Sequence, residues 1–134
     1  MLRLRHVFCV VTDCHAPSGH YRSLWQRHFY AGLRPEVERL FLPENLDFAW
    51  ARQTAPDTAE RRAATSEQLV AQILRARAAH GLDAVISYCL AGDLDLAAVR
   101  QVIAAGVPWV NFFCDSTYRF AEVEPLARVV SLNN

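Results

Sequence analysis

The sequence predicts an α/β domain in which a mostly parallel, doubly wound sheet of five strands carries helices on both faces. The chain of 134 residues has the length of one ordinary domain, and 52% of its residues are hydrophobic, which indicates a buried core. Short apolar runs alternate along it with segments of helical periodicity. Continuous apolar strands of this kind are typical of a parallel sheet covered on both faces. We therefore expect residues 1–134 to fold as a single domain.

Five short apolar runs are predicted to be strands, since β-branched and aromatic residues recur in them. They are His6 to Thr12, Val37 to Leu42, Ala84 to Tyr88, Trp109 to Phe113 and Arg128 to Leu132. Right-handed crossovers leave few topologies for such a chain. If the spatial order is 3-2-1-4-5, strands one and four are neighbours. The aromatic residues of strand four, Trp109, Phe112 and Phe113, are expected in the core.

Four segments are predicted to be helices from their periodicity and end signals. They are Arg22 to Ala31 closed by Gly32, Asp57 to His80 closed by Gly81, a helix capped by Asp93 or Asp95, and Phe120 to Leu126. Each of the two glycines is expected in the left-handed C-cap conformation. Phe29 and Tyr30 of the first helix are expected to pack on the sheet.

The composition excludes several classes of function. The formal net charge is zero, which argues against a nucleic-acid partner or an anionic membrane surface. No apolar run reaches the roughly 20 residues that span a bilayer, so no integral membrane segment is predicted. The four cysteines form no C-x-x-C pair and favour a reducing cytoplasm.

Three segments follow strand ends, where ligands bind in a doubly wound sheet. They are residues 13–20 after strand one, 87–92 after strand three and 115–119 after strand four. With the order 3-2-1-4-5, the first and third segments face each other. Ser87 and Tyr88 lie in the second segment and are candidate substrate-binding residues. Tyr21 is a further candidate because it lies beside a strand-end loop.

The first segment contains Ser18-Gly19-His20 immediately before a helix. Glycine lets the backbone approach a ligand closely, and the helix N-terminus offers free N–H groups to an anion. Ser18 and Gly19 are therefore candidate substrate-binding residues. A plain strand-to-helix turn with Ser18 as its N-cap explains the same residues.

Asp115 follows an apolar strand directly, and Ser116 comes next. A carboxylate at a strand end can act as a general base or hold a sugar hydroxyl. The same Asp-Ser-Thr run is also a helix-capping pattern, and the two roles can coexist.

No metal and no cofactor is predicted. Cys14, His15 and His20 match no standard zinc spacing. Asp13-x-His15 is similar to the cobalamin-binding signature, but that signature requires glycine where Ser18 stands. A cobalamin-binding domain stays an alternative. A serine hydrolase lacks its G-x-S-x-G elbow here.

Two stretches resemble a known family. His80-Gly-Leu-Asp-Ala-Val-Ile-Ser-Tyr88 and Ala105-Gly-Val-Pro-Trp-Val-Asn-Phe-Phe-Cys-Asp115 are similar to the N-terminal domain of bacterial GT-B glycosyltransferases, with the family like the CgeB spore-maturation protein as the nearest group. Leu42-Pro43 and the stretch Leu126 to Asn133 resemble that family's second-strand exit and fifth strand. The resemblance covers most of the chain through diffuse motifs.

The resemblance implies a Rossmann-like, acceptor-side domain that faces a separate donor-binding domain across a cleft. The partners would be a sugar acceptor and a nucleotide-sugar donor, the donor bound mainly by the second domain. The 134 residues contain no such domain, so we expect them to be inactive alone. Ser18, Gly19 and His20 would line the cleft, with Asp115 at its centre and Asp115 or His20 as the catalytic base. Ser116 is a further candidate substrate-binding residue. A non-catalytic ligand- or protein-binding module is the alternative, and a homodimer is left open.

Overall fold

The chain, for which we have a computed structural model, forms alternating strands and helices; the structure describes residues 3–12, 20–46, 48, 58–113 and 120–133. The strands are β1 (His6–Val11), β2 (Arg39–Phe41), β3 (Ala84–Tyr88), β4 (Trp109–Asn111) and β5 (Leu132–Asn133). The helices are α1 (His20–Leu33), α2 (Thr58–His80), α3 (Leu96–Ala104) and α4 (Phe120–Ala127), with a 3-10 helix over Arg34–Glu36. The predicted α/β class is confirmed.

The strands β1 to β4 form a parallel sheet in the order β2-β1-β3-β4, and the two-residue β5 pairs with β4. The ladder between β1 and β3 is the longest, because it runs through all five residues from Val7 to Val11. The expected neighbourhood of strands one and four is therefore wrong: β3 lies between them. The strand β1 lies between β2 and β3, and β2 is at the edge of the sheet.

Side chains of β1 alternate between two apolar clusters, as the twofold period of a strand requires. Phe8 and Val10 join the larger cluster, and Cys9 and Val11 join the smaller one. The larger cluster is completed by residues of α2, α3 and α4, among them Leu69, Ile73, Val99, Val102 and Leu126. The smaller one is completed by Tyr88 and by Phe29, Tyr30 and Leu33 of α1. The prediction that Phe29 and Tyr30 pack on the sheet is confirmed.

Helix ends follow the predicted signals at two positions and depart from them at one. Gly81 has φ +70° and its N–H donates to the carbonyl of Arg77 at 2.9 Å, so α2 ends in the expected left-handed glycine. Asp95 caps α3 and accepts from the N–H of Ala97 at 3.0 Å. The prediction that Gly32 closes the first helix is wrong, because α1 continues through Leu33 into the 3-10 helix.

The predicted fifth strand lies too early in the chain. The N–H groups of Val129 and Val130 donate to the carbonyl of Leu126 at 2.9 and 3.1 Å. These bonds satisfy the end of α4 and hold residues 128–131 in turns, so the pairing with β4 starts only at Leu132. Phe112 also departs from its predicted core position, because 42% of its surface is exposed.

Asp83 fastens the start of β1 to the loop before β3. Its Oδ2 accepts from the N–H groups of Arg5 and His6 at 2.7 and 2.9 Å. These two bonds, the one to His6 foremost, favour the ionised carboxylate and lower the pKa of Asp83. Because the folded pKa is depressed, the stabilisation is complete above the unfolded pKa of about 3.9 and is lost as pH falls through the folded value.

Asp83→Asn is therefore expected to lower the free energy of unfolding by about 1 kcal/mol at pH 7, a modest loss because solvent screens an exposed carboxylate. Urea unfolding from pH 7 down to 2 measures the loss, which should shrink below about pH 4. Glu67→Gln, at an exposed position on α2, is the matched control and should change little. A constant difference between Asp83→Asn and the parent over this pH range would contradict the assignment.

Candidate functional site

The connections that follow β1 and β3 go to opposite sides of this strand pair. From β1 it passes through α1 to β2 on one side, and from β3 it passes through α3 to β4 on the other. In open α/β sheets the carboxyl ends of two such strands form the place where ligands bind. We call this region the strand-end site and define it by Thr12 after β1 and by the loop of residues 89–95 after β3.

Thr12 and Asp93 join the two sides of the strand-end site. The hydroxyl of Thr12 donates to Oδ2 of Asp93 at 2.6 Å, and the N–H of Leu90 donates to the same oxygen at 2.9 Å. The N–H of Thr12 donates to the carbonyl of Tyr88 at 3.1 Å. Thr12 and Asp93 are 1% and 2% exposed. The carboxylate therefore holds the loop after β3 against the end of β1, since buried polar groups need such partners.

Asn111 ties the ends of β3 and β4 together. Its Oδ1 accepts from the N–H of Cys89 at 3.1 Å and from the hydroxyl of Ser87. Its Nδ2 donates to the carbonyls of Cys89 at 3.1 Å and Phe112 at 3.3 Å. The Nε1 of Trp109 donates to the hydroxyl of Ser87 at 2.7 Å. Four neighbouring groups thus depend on one fully buried amide.

Three aromatic rings cluster beside the ends of β3 and β4. The ring centroids of Phe29 and Tyr88 are 5.8 Å apart, and those of Phe29 and Phe112 are also 5.8 Å apart. Tyr88 and Phe112 are 6.3 Å apart. Phe112 is the most exposed of the three and presents an apolar surface next to the strand-end site. Rings so placed can stack on a planar or apolar face of a ligand.

A shallow cavity of about 620 Å³ opens beside the loop after β3. Ala91, Gly92 and Asp95 line it from the loop, and Arg62 lines it from α2. The Nη1 of Arg62 donates to the carbonyl of Gly92 at 3.3 Å. A Cβ added to Gly92 would meet no atom within 4 Å, so this position has free space in front of it. The cavity offers a cation and backbone polar groups to a ligand.

The predicted site residues fall into two groups. Ser87 is fully buried with its hydroxyl bonded to Asn111 and Trp109, and Tyr88 is 6% exposed. The structure places both at the end of β3 and gives them contacts within the chain. Their role toward a substrate stays a prediction.

Of the other predicted residues, His20 and Tyr21 begin α1, and their side chains lie outside the described part. Ser18, Gly19, Asp115 and Ser116 lie outside the described residues. The strand order differs from the expected one, since the end of β1 lies beside the end of β3 and not beside the end of β4.

Thr12, Asn111 and the contact of Asp93 with Thr12 are not predicted from the sequence. The sequence predicts Asp93 or Asp95 as the cap of the third helix, and Asp95 takes that role. One sequence signal indicates such residues: a lone polar residue at the end of an apolar run, as Thr12, or within one, as Asn111, is buried with a partner when its strand is central. The partner itself was not readable, because Thr12 and Asp93 are 81 residues apart.

Two described cysteines are buried thiols without reactive character. Burial raises the pKa of Cys9 to about 12 and raises the pKa of Cys89 further, with the Asp93 carboxylate adding to the effect at Cys89. Cys89 Sγ lies 3.7 Å from the carbonyl of Val10. A thiol held protonated in this way is neither a nucleophile nor a metal ligand at neutral pH.

Searches of protein-family models, curated proteins and solved structures find no match to the chain. Within the described ranges, no three His, Cys, Asp or Glu side chains are grouped closely enough to hold a metal ion. No helix in that same part of the chain combines the length and the apolar character needed to cross a membrane.

Proposed function

We propose that the chain is the acceptor-side domain of a GT-B-type glycosyltransferase and that its strand-end site binds a saccharide. One observation carries the proposal: β1 and β3 are adjacent, parallel and connected in opposite directions. A site between two such strands is the general location of ligands in open α/β sheets. The resemblance of residues 80–88 and 105–115 to this enzyme class supplies the chemistry.

The same proposal includes the finer description of the fold, a doubly wound, Rossmann-like sheet of five strands. Support comes from the two apolar clusters, one built with α1 and the other with α2 and α3. Right-handed crossovers from a central β1 place α1 opposite α2 and α3. In this arrangement both faces of the sheet are covered, and the carboxyl ends of the strands are the open side.

The residues of the site divide into scaffold and ligand-facing groups in this proposal. Thr12, Asp93 and Asn111 hold the strand ends, because all three are buried. Thr12 is hydrogen-bonded to Asp93, and Asn111 is hydrogen-bonded to the backbone of Cys89. Phe112 offers a ring face to the apolar side of a sugar. Asp115 and His20 are proposed to orient or deprotonate the acceptor hydroxyl. The donor would be a nucleotide sugar bound mainly by another domain.

A non-catalytic ligand-binding module is the second candidate. The cavity beside Gly92 favours it, since Arg62 and backbone groups can hold a small polar ligand without any catalytic residue. The two candidates differ in the ligand they require. The first requires a saccharide, and the second does not.

The test is a titration of the ¹⁵N-labelled chain with methyl glucoside, methyl galactoside, N-acetylglucosamine, UDP-glucose and ADP. The proposal expects a saccharide to shift the amides of Thr12, Leu90, Ala91 and Gly92, which surround the site, more strongly than UDP-glucose does. Asp115→Asn should weaken that binding about tenfold without lowering thermal stability, because it removes one charge-assisted hydrogen bond.

Two glycine variants make the test specific to the site. Gly92→Leu fills the free space beside the loop and should abolish the shifts, while Gly32→Leu on α1 is the matched control, since a Cβ meets no atom within 4 Å at either glycine. Shifts caused by ADP alone would support the binding module. If no probe perturbs these amides, the strand-end site is not a ligand site under either candidate.

A further inference from the structure

We propose that the groove between β2 and the C-terminal half of α2 is a binding site for a small planar aromatic anion. We call it the β2–α2 groove and define it by Phe8, Phe41, Leu42, Ala76, Ala79 and His80. It lies beside β2, at the edge of the sheet, and shares no lining residue with the strand-end site. The proposal does not depend on the function proposed for the strand-end site.

The groove exists because small side chains of α2 stand opposite a large ring of β2. Ala76 and Ala79 lie across from Phe41, and the space left between helix and strand amounts to about 550 Å³. In the part of the chain that the structure describes, no strand pairs with the outer side of β2, which is the edge of the sheet. The volume falls within the range of pockets that hold small ligands, roughly 300 to 1,000 Å³.

Contacts within the chain hold the walls of the groove in place. The amide of Gln72 on α2 accepts from the N–H of Glu44 at 2.9 Å and donates to the carbonyl of Glu44 at 2.8 Å. These two hydrogen bonds to the backbone of one residue hold the segment after β2 against the helix. Phe41 stacks on Phe8 with centroids 6.3 Å apart and planes 9° apart. A groove with fixed walls needs little ordering when a ligand enters.

The rings around the groove favour a planar occupant. Phe41 of β2 and His80 of α2 both line the groove, and their ring centroids are 5.5 Å apart with planes inclined by 32°. A flat aromatic ring can pack against these rings in an offset or edge-to-face arrangement, which adds a favourable interaction beyond area burial. An aliphatic ligand would gain only the free energy of burying its apolar surface.

The charges around the groove favour an anion. Arg75 lines it and has no hydrogen-bond or ion-pair partner among the described residues. Arg39 does not line the groove, but its guanidinium lies 5.7 Å from the centroid of Phe41 and its Nη1 lies 2.6 Å from Nδ1 of His80. Among the described residues that line the groove, Glu44 is the one acidic residue. Arg75 has no partner there and Arg39 lies beside Phe41, so the two guanidinium groups favour a carboxylate or sulfonate on the ligand.

A second copy of the chain is a poorer occupant of this edge. The strand β2 has only three residues, and Arg39 places a charge on it. Short edge strands that carry charge resist pairing with another strand. A small aromatic anion is therefore the occupant that we propose for the groove, and the experiment also tests for self-association.

The experiment titrates the ¹⁵N-labelled chain with naphthalene-2-carboxylate and, as a neutral counterpart, 2-naphthalenemethanol. The carboxylate should give saturable shifts at the amides of Phe41, Leu42, Ala76 and Ala79. The alcohol should bind about fivefold more weakly, because an exposed ion pair contributes up to about 1 kcal/mol. Arg75→Gln should reduce the difference between the two probes, and 0.5 M salt should do the same.

Two alanine variants of α2 localise the binding. Ala79→Leu fills the groove and should weaken naphthalene-2-carboxylate at least tenfold, while Ala78→Leu makes the same change at an exposed position that does not line the groove and should leave binding unchanged. Thermal melts show whether each variant is folded. Equal binding by Ala79→Leu and the parent, or shifts centred elsewhere, would overturn the proposal. So would a dimer in sedimentation that Ala79→Leu dissociates.

Discussion

Asn111→Leu is expected to lower the free energy of unfolding by about 3 to 4 kcal/mol, because a buried polar group left without its partner costs roughly 1–3 kcal/mol. The amide of Asn111 serves the N–H and carbonyl of Cys89, the carbonyl of Phe112 and the hydroxyl of Ser87. Leucine has a similar shape and satisfies none of them. Urea unfolding followed by far-UV circular dichroism measures the loss.

Gln101→Leu is the matched control for this amide-to-leucine change. Gln101 is exposed on α3, so its replacement should change stability by no more than about 0.5 kcal/mol. Ser87→Ala removes one member of the network and should cost less than Asn111→Leu, since Asn111 keeps its bonds to Cys89. If Asn111→Leu were as stable as the parent, the network would not hold the ends of β3 and β4.

Trp109→Ala is expected to cost about 3 to 5 kcal/mol, the range for removing a large aromatic side chain from a core. Trp109 is 1% exposed and is the largest fully buried side chain of the described residues. Its ring belongs to the larger apolar cluster, and its Nε1 donates to the hydroxyl of Ser87. A domain with the usual 5–15 kcal/mol of stability would lose much of its margin.

Trp109→Phe separates volume from hydrogen bonding at this position. Phenylalanine keeps much of the buried area but removes the donor to Ser87, so we expect a loss of about 1 to 2 kcal/mol. Thermal and urea unfolding of both variants give the comparison. Equal losses in Trp109→Ala and Trp109→Phe would show that the hydrogen bond, rather than the filled volume, dominates.

The effects of substituting Asn111 and Trp109 are also expected to be coupled through Ser87. Its hydroxyl donates to Asn111 and accepts from Trp109, so the two larger side chains share one partner. Effects of substitutions in one hydrogen-bond network are not additive. The combined variant Asn111→Leu with Trp109→Phe should therefore differ from the sum of the single losses by at least about 0.5 kcal/mol.

Local patterns predicted the elements well where the signal was strong. The strand Ala84–Tyr88 has the predicted bounds, and α2 ends at His80 before Gly81 as expected. The weaker signals failed by a few residues, as at Gly32 and in the turn before β5. The end of α4 is set by hydrogen bonds to the carbonyl of Leu126, which periodicity does not report, and α1 continues through Gly32 into a 3-10 helix.

The candidate site was predicted only in part. Ser87 and Tyr88 are predicted because they end an apolar strand, yet both have contacts within the chain. Asp93 is predicted only as a possible helix cap, and the sequence does not indicate its hydrogen bond to Thr12. Residue type and local spacing identify a strand end. They do not say which side chains there turn inward to a partner and which face a ligand.

By itself, the sequence determined the α/β class, because the spacing of apolar residues and the capping signals act over a few residues and can be read locally. Only the tertiary structure decided the strand order β2-β1-β3-β4 and the pairing of Thr12 with Asp93 and of Asn111 with Ser87. These are contacts between segments more than 20 residues apart, selected by how whole strands and helices bury their apolar faces together. The strand-end site and the β2–α2 groove both arise from that long-range packing.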